Sequence, residues 1–189
     1  MGGPFRLWFA EGTELTKRIA LIGLSGAGKS TVAPLLAERL GFDWIDLDAE
    51  VERAAGEPIA EILAARGEPA FRDLESMALE AALAREPEGR GLVIACGGGI
   101  LGSERNRERI RESARTVWLR VSPEAALERL GAEERAKRPL LRGSSPIASL
   151  RALLEARSAL YASAAQHVVD TENRSAGDVA RSIQALWAD

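Results

Sequence analysis

The residues Gly23-Leu24-Ser25-Gly26-Ala27-Gly28-Lys29-Ser30 satisfy the pattern GxxxxGK followed by Ser or Thr at every fixed position. An anion is the natural ligand of such a loop. Its glycines let several backbone N–H groups converge, and the helix that follows adds the positive end of its dipole. In this arrangement Lys29 reaches the β- and γ-phosphates of a nucleotide, and the Ser30 hydroxyl ligates Mg²⁺. Asp46 and Asp48 are the next candidates. At the end of a strand, residues two apart share a face, so one carboxylate could steer metal-bound water while the other takes the proton of an attacking hydroxyl. The same carboxylates could instead cap the helix that follows.

Gly97-Gly98-Gly99 is more glycine than a turn needs, and it lets backbone approach a ligand without side chains intervening. Arg72 and Glu75 are three apart on a helical pattern, so the carboxylate could orient the guanidinium. Such pairs are more often surface ion pairs. Arg157 on another helical stretch and Arg138 in a polar loop strengthen the case, because arginines are the preferred receptors for a carboxylate or a transferring phosphoryl group. Cys96 adjoins the triple glycine and reads as a small buried strand residue. His167, the single histidine, begins a strand without an evident partner and is given no catalytic role.

The elements that must position these residues alternate between strand-like and helical patterns. Residues 18–22 form a short apolar run, followed by a helix from Ser30 to Leu40 that Gly41 closes. Phe42 to Asp48 reads as a second strand, Leu92 to Cys96 as a third, Thr116 to Val121 as a fourth and His167 to Asp170 as a fifth. Helical spacing runs over 51–55, 59–65 and 69–84, after Pro123, and from 171 towards the C-terminus. The order predicts an α/β fold, a three-layer sandwich with a five-stranded parallel sheet flanked by helices. Ligands of such sheets bind beyond the carboxyl ends of the strands, which gathers the phosphate loop, the two aspartates and the triple glycine at one edge. Pro34 is discordant, because it lies beyond the first turn of its helix. Residues 131–146, arginine-rich and ending in Gly143-Ser144-Ser145-Pro146, read as a loop long enough to be a mobile lid.

A chain of 189 residues suits one domain, taken as residues 18–189, after an N-terminal extension of unknown role at 1–17. The extension's Phe5, Leu7, Trp8 and Phe9 are unexplained, and it lacks the long apolar centre of a signal peptide. A net charge of −3 gives no electrostatic case for nucleic-acid or membrane binding. A single cysteine excludes an internal disulfide and fits a reducing cytoplasm.

In this combination the residues resemble the shikimate kinase family, within the nucleoside-monophosphate-kinase-like P-loop fold. The resemblance is carried by Gly23 to Thr31, Asp46-Leu47-Asp48, Gly67-Glu68 with Phe71-Arg72 and Glu75, Gly97 to Gly99, Arg138-Pro139-Leu140-Leu141, and Arg157 with Leu160-Tyr161. It implies ATP-dependent phosphorylation of the 3-hydroxyl of shikimate, with Mg²⁺, by a cytoplasmic monomer. It further implies ATP contacts from Gly26, Ala27, Gly28, Lys29, Ser30, Thr31, Arg138 and Arg174. By the same likeness Asp46 holds metal-bound water beside Ser30, and Asp48 binds and activates the hydroxyl. Arg72, Gly97, Gly98, Gly99 and Arg157 bind shikimate, and Arg138 acts with Lys29 and Asp48 in the chemistry. Arg129 and Arg135 both compete for a second contact to adenine. Ala176 and Pro34 depart from the residues common in the family. A ligand-sensing relative or another small-molecule kinase, such as a gluconate kinase, is the alternative that the likeness leaves open.

Overall fold

The structure is a computed structural model that describes residues 17–86, 91–131 and 145–187. The extension up to residue 16, and Arg135 and Arg138 with most of the expected lid, lie outside the described residues.

The first strand, β1 (Arg18–Ile22), is buried along its whole length, as the apolar run after Arg18 requires of a central parallel strand. It leads into helix α1 (Lys29–Leu40), which ends on Gly41 as expected. Strand β2 (Asp43–Asp46) is followed directly by α2 (Leu47–Ala55) and by α3 (Ile59–Ala84), which is broken at Gly67. Then come β3 (Leu92–Ala95), a single 3₁₀ turn (Ile100–Gly102), α4 (Glu104–Ser113) and β4 (Arg115–Arg120). Helices α5 (Pro123–Arg129) and α6 (Pro146–Ala164), strand β5 (His167–Asp170) and helix α7 (Ala176–Ala185) complete the order. The five strands pair in parallel in the order β2-β3-β1-β4-β5.

Both faces of this sheet are covered. Ile19, Leu21, Val93, Ala95, Val117 and Leu119 point to one side, where α1, α5 and α7 pack. Ala20, Ile22, Leu92 and Ile94 point to the other, towards Leu79 of α3, Ile110 of α4 and Tyr161 of α6. The alternation follows from the two-residue period of a strand. Among the described residues, no helix is long and apolar enough to cross a membrane.

Several boundaries differ from the sequence reading: β4 runs one residue earlier at both ends, and three other shifts concern the elements that carry the cleft residues. The second strand stops at Asp46, not Asp48, because Asp46 turns the chain into α2 by capping it. The third stops one residue before Cys96, although the Cys96 N–H still donates to Leu21 O at 3.0 Å and extends the ladder. Helix α1 starts at Lys29 and continues through Pro34, which leaves the Ser30 carbonyl without its intrahelical donor.

Leu36 is fully buried within α1, among residues of the sheet and of α7. Leu36→Ala should lower the free energy of unfolding by about 2–5 kcal/mol, measured by urea denaturation.

Candidate active site

The phosphate loop sits between β1 and α1 at the carboxyl edge of the sheet. Gly28 caps α1 in the left-handed region (φ 92°), and its carbonyl accepts from Thr31 N at 3.1 Å and Val32 N at 2.8 Å. Lys29 is buried, and its ammonium cannot lie there without acceptors. It donates to the carbonyls of Gly23 at 2.9 Å and Leu24 at 3.0 Å, bracing the loop from within. Residues 25–32 line a cleft of about 490 Å³, which Asp46, Asp48, Cys96 and Gly98 also line. Ser30 and Thr31 are exposed at its floor. Burial pushes the Cys96 thiol well above its usual range, which keeps it neutral.

The two aspartates reach this cleft by a different route from the one their spacing predicted. They do not share a strand face, since Asp48 lies in the first turn of α2. Asp46 is the N-cap of that helix, and its Oδ1 accepts from Asp48 N at 2.9 Å and Ala49 N at 3.5 Å. Both bonds fall on Oδ1, which leaves Oδ2 free of the cap, and Asp46 also lines the cleft. Capping and lining the cleft are therefore compatible.

Beside the triple glycine, Glu75 and Arg72 form the pair that their spacing predicted, at 2.8 Å. Glu75 is almost wholly buried, with 2% of its side chain exposed, so this is no ordinary surface pair. Burial pushes its carboxyl above the usual range, and Arg72 opposes that shift. A second carboxylate, Glu68, holds the other side of the guanidinium at 2.9 Å. The triple glycine lies against these groups. A Cβ at Gly97 would collide with Glu75 Oε1 and stand 2.9 Å from Asp48 Oδ1, and one at Gly99 would lie 2.6 Å from Arg72 Nη1. The backbone thus approaches both charges more closely than any side chain would allow. From the other side, Arg157 Nη1 donates to Gly98 O at 3.0 Å, and the Tyr161 hydroxyl donates to the same carbonyl at 2.6 Å.

The structure therefore brings Asp48, Arg72, Gly97 to Gly99 and Arg157 together beside the phosphate loop. Two guanidinium groups and a carboxylate around bare backbone suit an acceptor that carries both an anionic group and a hydroxyl. Away from this end, Arg129 and Arg174 line the same cleft with Thr171 and Val179. Arg129 donates to Thr171 Oγ1 at 2.9 Å and also to Thr171 O. Arg174 donates to Asp170 O and Asp178 O, each at 3.0 Å. Sequence reasoning named Glu68 and Tyr161 only among the residues that carry the resemblance, without a role, and did not single out Thr171. Spacing could have flagged two of them, since Tyr161 follows Arg157 by four and Glu68 precedes Arg72 by four.

The three glycines make unequal demands. A Cβ at Gly98 would meet its nearest neighbours at an ordinary 3.6 Å. Gly98→Ala should therefore unfold like the wild type, whereas Gly97→Ala and Gly99→Ala should each lose about 1–3 kcal/mol by displacing Glu75 or Arg72. Thermal unfolding of the three variants checks this ordering.

Comparison with known proteins agrees with this geometry. The family model described as shikimate kinase matches residues 25–187. A shikimate kinase from Symbiobacterium thermophilum is 42% identical over 165 residues, covering 87% of this chain and 92% of that protein. A solved shikimate kinase from Acinetobacter baumannii, in complex with shikimate, superposes with a TM-score of 0.84 at 36% identity, covering 90% of this chain and 92% of that one. A gluconokinase from Sinorhizobium meliloti, at 20% identity and a TM-score of 0.56 over 92% of this chain and 93% of its own, shares the fold alone. The chain belongs to the shikimate kinase family.

Proposed function

We propose that this cleft transfers the γ-phosphoryl group of ATP to the 3-hydroxyl of shikimate, giving shikimate 3-phosphate and ADP on the route to chorismate and the aromatic amino acids. The observation that carries the assignment of residues is the position of Asp48. It sits between the phosphate loop and an acceptor pocket whose cations, Arg72 and Arg157, flank bare glycine backbone.

In this reading the phosphate loop from Gly26 to Thr31 binds the polyphosphate through its N–H groups and the N-terminus of α1. Lys29 exchanges its carbonyl partners, Gly23 and Leu24, for phosphate oxygens. Arg72 and Arg157 bind the shikimate carboxylate. Glu75 and Glu68 hold the Arg72 guanidinium, so little of its freedom is lost on binding. Asp48 accepts the proton of the 3-hydroxyl as its oxygen bonds to the γ-phosphorus and the bond to the leaving ADP oxygen breaks. Arg129 and Arg174 line the adenine end.

The residues present fit a magnesium ion of the kind that rides on nucleotide phosphates. Such a site takes one or two protein oxygens and leaves the rest to phosphate and water. The exposed Ser30 hydroxyl and the Asp46 carboxylate would supply that set, Asp46 through water. Such an ion would supply positive charge against the charge that develops on the phosphate oxygens. The same reading has the protein act as a monomer in the cytoplasm.

A coupled ADP-release assay with shikimate, gluconate and nucleoside monophosphates, followed by identification of the product, tests the activity. Turnover is expected with shikimate, and phosphorylation only of another acceptor would overturn the assignment. Arg72→Ala and Arg157→Ala should each raise the shikimate KM about ten- to hundred-fold while leaving ATP affinity nearly intact, as expected for one lost charge-assisted hydrogen bond. Asp48→Asn should lose most of its kcat and retain nucleotide binding by calorimetry.

A further inference from the structure

We propose that Tyr161 is a positioning residue for the acceptor, setting the orientation of the Gly98–Gly99 peptide and, through the shared carbonyl, of Arg157. This inference rests on the shikimate-kinase reading above. Tyr161 is 1% exposed, so its hydroxyl can find a partner only within the protein. That partner is Gly98 O at 2.6 Å, the carbonyl that also receives Arg157 Nη1 at 3.0 Å. Arg157 and Tyr161 lie one helical turn apart on α6, so a rigid element delivers both donors to one acceptor.

Two donors on one carbonyl leave the peptide a single direction. The described residues contain no cis bond, so the Gly99 N–H must point opposite to Gly98 O, away from α6. The same grip holds one side of the Arg157 fork, which also meets the Tyr161 phenol oxygen, and directs its remaining donors to the acceptor carboxylate. Glycine has no side chain to hold such a peptide in place, and Gly98 tolerates a Cβ by space alone. Its orientation must therefore come from its hydrogen bonds. The phenol ring itself is held by packing, stacked at a tilt against Trp118 with centroids 5.7 Å apart. Hydroxyl and ring thus make separable contributions.

Tyr161→Phe removes the donor and keeps the ring, whereas Trp118→Phe loosens the ring and keeps the donor. The shikimate KM of Tyr161→Phe should rise about three- to ten-fold, with the ATP KM within two-fold of wild type. Trp118→Phe should lower the thermal midpoint and leave the shikimate KM within two-fold. A shikimate KM unchanged in Tyr161→Phe, an ATP KM rising in parallel, or the same shikimate effect in Trp118→Phe would overturn the proposal. Tyr161 is the only tyrosine of the chain, so 3-fluorotyrosine labelling of the otherwise unaltered protein gives a second readout that does not depend on the variant folding. Its fluorine resonance should shift on saturation with shikimate, and an unmoved resonance would contradict the proposal. Wild-type turnover is measured alongside. Its absence would overturn the shikimate-kinase reading, whereas normal wild-type turnover with an unchanged Tyr161→Phe KM overturns this inference alone.

Discussion

A carboxylate buried in protein persists only where a cation and hydrogen bonds compensate the water it has lost. Glu75 is such a group, and the residues around the triple glycine answer to it. Arg72 must lie against it, which fixes the guanidinium at the edge of the pocket. The backbone at Gly97 passes close by, so a side chain there would have to displace Glu75. Glu75 Oε1 has no hydrogen-bond partner among the described residues, and Asp48 Oδ1 approaches the same glycine. Placing α2, α3 and the loop after β3 around one charge brings the groups that would read an anionic polyol within reach of the phosphate loop.

The two halves of the site meet at Gly98. A Cβ there would stand 3.6 Å from Gly23 O and from Ser25 N, so the triple glycine packs backbone to backbone against the phosphate loop. Gly23 O is also one of the acceptors that hold Lys29. Chemistry between a nucleotide and a small acceptor depends on holding them within near-attack distance, and two glycine-rich loops in contact allow that approach. The central position of β1, between β3 and β4, places both loops at the carboxyl edge.

How much of this was legible in the sequence depended on the range of the signal. The phosphate loop, β1 and α1 were readable because their signals are local: an apolar run, a glycine pattern and a closing glycine. Ile45-Asp46-Leu47-Asp48 left strand and helix cap both open, because it alternates as a strand does, with Ile45 and Leu47 both buried. The capping bonds of Asp46 decide the matter, and only the helix that follows reveals them. The Arg72–Glu75 pair was visible by spacing, but its burial was not. That burial depends on the triple glycine, which comes from another part of the chain. Arg129 with Thr171 and Tyr161 with Gly98 likewise join segments distant in sequence, where spacing carries no information.

Arg72 and Arg157 stand where they would receive the carboxylate of the acceptor. Calorimetric titration of the wild-type protein with shikimate and with its methyl ester measures what that carboxylate contributes. Esterification removes the negative charge and leaves the ring and hydroxyls in place. The arrangement of Arg72 and Arg157 predicts that the ester binds about ten- to hundred-fold more weakly. Equal affinity for acid and ester would contradict it.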